Sequence, residues 1–336
     1  MDANAVRYDP TTPRDHVESY FLKANDPEGT RALWLKATIL SRASEPGGAV
    51  AEGWAVAFDR RKDARHHVAV KSSIPISRAS FDREKLGVRW DEPQDGTALH
   101  LEEGATRGAI TRGRDGIAWD LRLAADGGPL ELLPYAWMYT APFPKSKTIT
   151  PVADASFLGE IEVNGERWSL DGWRGMQGHN WGRGHADLYA WCHVCAWDDQ
   201  GEPLVFEAVS ARVRTGPVLL PLLTLVAVRA RGVDYRFHRP ADMARAEARI
   251  DGLSYKVSVA NDLGRVEAEI TADPVDMVGL YYANPRGPLT YCLNSKLATA
   301  RLSFEPAGRP KVTHTSRAAA LEIGTHEANP SIRMMA

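Results

Sequence analysis

Cysteine is scarce in this chain. The three among 336 residues are too few, and odd in number, to build a disulfide framework, so reduced thiols are expected. An excess of charge is missing as well: 41 basic residues against 43 acidic ones leave a formal net charge of -2. No stretch concentrates Lys and Arg densely enough to neutralise a row of phosphates, which argues against nucleic acid as a partner. The most apolar window, PVLLPLLTLVAV from Pro217 to Val228, is too short for a bilayer and carries two prolines; it reads as a buried strand. The opening MDANAVRYDPTTPRDHVESY has no cationic start followed by an apolar run, so no secretory or transit processing is indicated and a cytoplasmic location is expected. No G-x-G-x-x-G opens a helix after a strand, and Walker A, H-E-x-x-H and G-x-S-x-G are missing. Nucleotide and hydrolase readings drop out, and no cofactor is called for.

What is present is β-structure. Short runs such as RALWLKATIL, AEGWAVAFD, GIAWDLRLA, LYAWCHVCAW, PLVFEAVSARV and LSYKVSVAN recur between Gly, Pro, Asp and Asn, the pattern of antiparallel sheets closed into barrels or stacked as sandwiches. No long helical period competes. Asn164-Gly165 between GEIEV and ERWSL is a type I′ hairpin signal, because that turn wants positive φ at both central positions. The length suggests two units, and a faint repeat agrees. The region of residues 31–59 resembles 187–209, residues 76–90 resemble 238–255, and 144–163 resemble 292–304. Their common order and an offset of about 150 residues favour two copies of one β-unit. The break is expected near residues 175–182, giving an N-terminal unit 1–178 and a C-terminal unit 179–336.

Functional residues concentrate in GMQGHNWGRGHADLYAWCHVCAW, Gly175 to Trp197. Cys192 and Cys195 have a zinc-ligand spacing but no second ligand pair, and on a strand residues three apart face opposite ways, so no metal is expected. Period two puts Ala186, Leu188, Ala190, Cys192, Val194 and Ala196 on one face. The other carries Asp187, Tyr189, Trp191, His193, Cys195 and Trp197: aromatic, with titratable groups. That face fits the wall of an apolar ligand cavity, or a core whose polar hydrogens find backbone partners. A three-residue turn Asp199-Gln200-Gly201 would set His193 opposite Glu207, and a carboxylate beside the imidazole would raise the histidine pKa and make it a proton donor. Upstream, glycines alternate with Trp173, Gln177, His179 and Trp181. This reads as a shaped connector delivering those side chains to the rim of the same pocket.

GMQGHNWG, placed between a β-hairpin and a Trp-bearing strand, resembles the His-x-Trp-Gly signature of the hydroxyneurosporene-synthase-like family at Trp173, His179, Trp181, Gly182 and Trp191. That group takes in carotenoid 1,2-hydratases, AttH-like proteins and fungal Diels–Alderases. The resemblance implies two tandem lipocalin-like β-barrels and the handling of a hydrophobic small molecule. Family members usually carry an acidic residue beside the histidine, where this chain has Gly178 and Asn180. Three functions follow as expectations. One is acid-catalysed hydration, dehydration or cyclisation of an isoprenoid-, lipid- or polyketide-like substrate, with His179 or His193 as acid, poised by Glu207 or Asp187, and Trp173, Gln177, Trp181, Tyr189 and Trp191 around the ligand. The second is a binding protein using the same cavity without turnover. The third is a β-scaffold for protein partners, favoured if the cavity is filled by side chains.

Overall fold

The computed structural model describes residues 2–61, 66–92, 96–199, 201, 203–212, 214–215, 218–219 and 221–336. Thirteen strands form a first antiparallel sheet: β1 His16–Asn25, β2 Arg31–Ser41, β3 Val50–Asp59, β4 Val68–Pro75, β5 Ser80–Phe81, β6 Gly87–Glu92, β7 Thr97–Glu102, β8 Ala105–Arg112, β9 Asp115–Ala125, β10 Leu130–Glu131, β11 Ser146–Val163, β12 Glu166–Ser169 and β13 Trp173–Gly182. After β14 Leu188–Val194 and β15 Leu204–Arg212 come a small separate hairpin, β16 Arg214–Thr215 with β17 Val218–Leu219, and then β18 Leu223–Ala230 and β19 Val233–Phe237. One short helix, α1 Pro240–Arg245, precedes β20 Glu247–Asp251, β21 Ser254–Asn261, β22 Gly264–Thr271, β23 Val278–Tyr282, β24 Thr290–Pro306 and β25 Val312–Thr325. Apart from β16 and β17, strands β14 to β25 form the second sheet.

The two sheets share one plan. The first runs β4-β3-β2-β1-β13-β11-β9-β8-β7-β6-β5 and the second β19-β18-β15-β14-β25-β24-β22-β21-β20. In each, the first strand pairs with the last, and the last pairs with a long strand, β11 or β24, whose register shifts partway along. In each, a short strand, β10 or β23, is added to that long one. The β11 and β24 segments are the two that the sequence repeat matched. The match of 31–59 with 187–209 is one strand out, because topology equates β1 with β14 and β2 with β15; consecutive apolar strands share a period and look alike. The expected break between 178 and 179 falls inside β13, and the chain crosses between sheets at 183–187.

Each sheet curls over its own core, β4 lying across β8 and β9 in the first and β19 across β21 in the second. Trp90, Trp119, Phe157 and Trp168 help fill the first core, and Phe206, Phe237, Tyr255 and Phe304 the second. A third apolar cluster lies between the units, where Phe21, Trp34, Trp54 and Met176 meet Trp191, Leu280, Tyr282 and Leu297. The Asn164-Gly165 turn has φ of 50° and 86°, as a type I′ turn requires. Gln200, at the centre of the other expected turn, lies outside the described residues. So do Pro217 and Leu220 of the apolar window, which divides between β17 and β18 instead of forming one strand.

Candidate functional site between the two β-units

On β14 the period-two split holds. Ala190, Cys192 and Val194 enter the second core, whereas Trp191 joins the cluster between the units. Cys195 lies on that other side too, packed near Ala153 with its thiol donating to the Gly175 carbonyl at 3.4 Å. The hairpin register also holds, with His193 opposite Glu207. Their side chains do not pair. His193 Nε2 donates to the Ala153 carbonyl at 2.9 Å, and its Nδ1 is buried without a partner. Glu207 accepts from Trp191 Nε1 at 2.9 Å, and both its oxygens lie within 2.9 Å of Thr150 Oγ1. The expected coupled pair is thus replaced by contacts with β11 of the other unit, about which a local hairpin register carries no information. Burial, followed by the nearby Lys23, presses the His193 pKa well below its ordinary value, opposite to the expected rise.

Glu207 moves the other way, because burial lifts its pKa from 4.5 to about 7 against the two hydrogen bonds that lower it. A carboxyl whose folded pKa is raised stabilises the fold fully below its unfolded pKa, and this contribution is lost as pH rises through the folded one. The wild type should therefore lose stability between about pH 4.5 and 7. Glu207→Gln keeps an acceptor for Trp191 and a donor for Thr150 without the titration. It should unfold at a higher temperature than wild type at pH 8, by roughly 2–3 kcal/mol in stability. Thermal scans from pH 4.5 to 8 check this; parallel curves for the two proteins would contradict it.

The glycine-rich connector is strand β13. Its glycines serve close approach, since a Cβ on Gly175 would lie 1.9 Å from the Lys23 carbonyl oxygen and one on Gly178 2.3 Å from the Phe21 ring. Alternation then carries the odd-numbered side chains to the interior face of the first unit. Trp173 packs with Trp168 in the first core, away from any cavity. Gln177 exchanges amide hydrogen bonds with Asn4 at 3.0 and 3.2 Å. His179, expected at a rim, is fully buried. It stacks on Tyr20 with ring centroids 4.2 Å apart, and its Nδ1 donates to the Ala3 carbonyl at 2.7 Å while Nε2 meets Glu18 at 2.9 Å.

Glu18, which no sequence signal singled out, is the hub of this region. It accepts from His16, His179, the Tyr20 hydroxyl and the backbone N–H groups of Arg7 and Tyr8, all within 3.0 Å. Burial would raise its pKa, but the hydrogen bonds from His16 and His179 hold it at about 2. Both His179 nitrogens face acceptor oxygens, the Ala3 carbonyl on one side and the Glu18 carboxylate on the other. His179, Gln177 and Glu18 together fasten residues 3–8 to the first unit. That segment sets the Arg7 guanidinium 5.0 Å over the ring of Trp181.

The open space lies between the units. A cavity of about 290 Å³ is walled by Phe21 and Trp34 from the first sheet, Trp181 at its edge, and Tyr189, Trp191 and Val209 from the second; Leu133, Met138 and Phe143 of the 132–145 loop close it. Trp181, Tyr189 and Trp191 all line this space, Trp181 while packed against Tyr139 and His179. Asp187 is half-buried in the crossing segment and is not part of this wall.

The polar end of the cavity was not foreseen. Lys36 reaches in from β2, its ammonium 3.7 Å from the centre of the Tyr282 ring, and it forms no ion pair or hydrogen bond among the described residues. Burial lowers its pKa, and the Glu322 carboxylate partly restores it. His185 stacks on Tyr282, and its Nδ1 donates to Asn284 Oδ1 at 2.9 Å, fixing the tautomer and leaving Nε2 as the acceptor. Burial, then Lys36, presses its pKa to about 4. Glu322 is held by Lys296 at 2.9 Å. Tyr189 lies flat against Gly324, where a Cβ would come within 1.8 Å of its ring. Among the described residues no group of three or more His, Cys, Asp or Glu is placed to hold a metal ion.

No protein-family model and no curated protein matches the sequence. Solved structures match over nearly the whole chain. An AttH protein from Nitrosomonas europaea is similar at 13% identity, covering 93% of both chains with a TM-score of 0.50. CghA, solved with Sch210972, is similar at 12% identity over 93% of this chain and 88% of its own, with a TM-score of 0.57. Kievitone hydratase from Nectria haematococca is similar at 9% identity over 91% and 88%, with a TM-score of 0.51. This chain has the fold those proteins share, two lipocalin-like β-units in tandem.

Proposed function

We propose that this protein takes up a hydrophobic small molecule in the cavity between its β-units and converts it by proton transfer at Lys36 and His185, in a hydration, dehydration or cyclisation. The observation that carries this reading is the Lys36 ammonium, without an ion-pair or hydrogen-bond partner among the described residues, at the polar end of an aromatic-walled cavity. Holding a charge in so dry a place is costly unless something there uses it, and perturbed titratable groups gather at functional sites. A lowered pKa makes Lys36 a stronger acid toward a substrate oxygen or alkene, and the free Nε2 of neutral His185 is the matching base. Trp191, Trp34 and Tyr282 offer π-faces to positive charge developing in the substrate. Trp181, Tyr189 and Trp191 contact the ligand in this reading. His193 and Glu207 stand behind Trp191, and His179 and Gln177 position the residues 3–8 segment.

Two of the fold relatives lend support by their names: one is called a hydratase, and another was solved with Sch210972. The experiment is native mass spectrometry of freshly purified protein, extraction of the bound molecule, and its incubation with the protein in H2(18)O. The expected result is a non-covalent adduct, with label incorporated or an isomer formed. An adduct that is never transformed would make the protein a carrier, and no adduct in wild type or in Lys36→Met would contradict the reading.

A further inference from the structure

A second cleft, of about 620 Å³, opens beside the apolar cavity and shares Lys147, Trp181 and Gly182 with it. Its character is different. Arg7, Arg14, Lys145, Lys147, Arg183 and Arg286 line it, against the single carboxylate of Asp15, which is already paired with Arg286. For a chain whose net charge is -2, this is a local concentration of one sign. Two of these cations lack anionic partners in a way that points to a ligand. Arg7 spends one Nη on the Asp2 carbonyl, and its Nε and other Nη are buried with no hydrogen-bond partner. Lys147 is largely buried and, among the described residues, bonds only the Pro144 carbonyl. Unmade hydrogen bonds on a partly buried guanidinium cost free energy that an anion with several acceptor oxygens would recover.

We propose that the molecule held in the apolar cavity carries a multivalent anion of the phosphate or diphosphate class, and that this anion is bound in the cleft beside Trp181. The inference rests on the apolar cavity being the ligand site. A monocarboxylate would need one or two of these cations; the five left after Arg286 is paired with Asp15 suit an anion of higher charge. Strand β1 supplies a ruler. Lys36 is paired with Phe21 and Gly182 with Val17, four residues apart, or roughly 13 Å along a strand. The ligand would thus bring its reacting group to Lys36 and its anion to the cleft, separated by an apolar stretch about the length of a short isoprenoid.

Calorimetric titration of the full chain with farnesol, farnesyl diphosphate and inorganic diphosphate tests this, in wild type and in Lys145→Ala/Arg183→Ala, whose replaced side chains are both exposed. Farnesyl diphosphate should bind wild type at least about tenfold more tightly than farnesol at low salt, a gap that narrows at high ionic strength. The double variant, which keeps Arg7, Arg14 and Lys147, should narrow that gap and bind farnesol unchanged. Equal affinities in wild type, or a gap that the double variant leaves undiminished, would overturn the anion site and leave the cavity reading intact. Inorganic diphosphate binding as tightly as farnesyl diphosphate would overturn it too, by showing a free-anion site unrelated to the cavity. If none of the three binds, both readings fall.

Discussion

Glu18→Gln is expected to lower the thermal unfolding midpoint by roughly 5 °C at pH 7, the shift that a loss of about 3–5 kcal/mol gives in a chain of this length. The carboxylate is fully buried and accepts five hydrogen bonds, two of them from histidines. An amide of the same shape has one oxygen, so its NH2 group would point at groups that are themselves donors. Because the backbone N–H groups of Arg7 and Tyr8 lie on different oxygens of Glu18, either orientation of the amide leaves one of them facing its NH2 group. Removing one partner of a buried ion pair costs about 3–5 kcal/mol. The pH profile separates this from simple loss of packing. A carboxyl whose folded pKa is depressed contributes stability above its unfolded pKa and loses it as pH falls through the folded one. Wild type should therefore shed stability as pH drops from about 4.5 toward 2, and the variant should lack that part of the slope. A midpoint within 2 °C of wild type with the acid limb preserved would mean that Glu18 is not the ionised hub described.

Lys36→Met should separate stability from function. Methionine fills nearly the same volume, keeps contact with Trp34 and Tyr282, and removes an ammonium whose burial is opposed by desolvation. Stability is expected to hold or to rise by about 1 kcal/mol, as when strained functional groups are replaced by apolar ones. Binding of a ligand whose oxygen meets Nζ should weaken about 10- to 100-fold, the worth of a hydrogen bond to a charged group. Turnover should fall by orders of magnitude if Lys36 is the acid. Thermal unfolding and ligand titration on the same preparation check both halves. A destabilised variant with unchanged affinity would make Lys36 a structural residue.

The strands, the type I′ turn, the two faces of β14 and the His193–Glu207 register were legible because each depends on residues near in sequence. The direction of a side chain's hydrogen bonds was not. His193 and Glu207 sit opposite each other in the expected register, yet Ala153 and Thr150 of the first unit claim them. The glycines of β13 suggested a loop because glycine marks both turns and crowded strands. Only the Phe21 ring and the Lys23 carbonyl show which applies. The polar end of the cavity did leave a trace. Lys36, in the interior of RALWLKATIL, and Glu322, in AAALEIGT, are charges flanked by apolar residues, and a charge there is costly unless paired or used. Period two on β2 puts Lys36 on the face of Trp34. What no local pattern supplies is that this face looks into the gap between two units instead of the core of one.

The central claim is that the functional cavity lies between the β-units with Lys36 at its polar end. A crystal structure of the protein with its co-purifying ligand tests it most directly. The account predicts density bounded by Trp34, Trp181 and Trp191, with a ligand oxygen within hydrogen-bond distance of Lys36 Nζ. A ligand enclosed in the core of either β-unit, or one lying between the units with only carbon against Lys36, would contradict it.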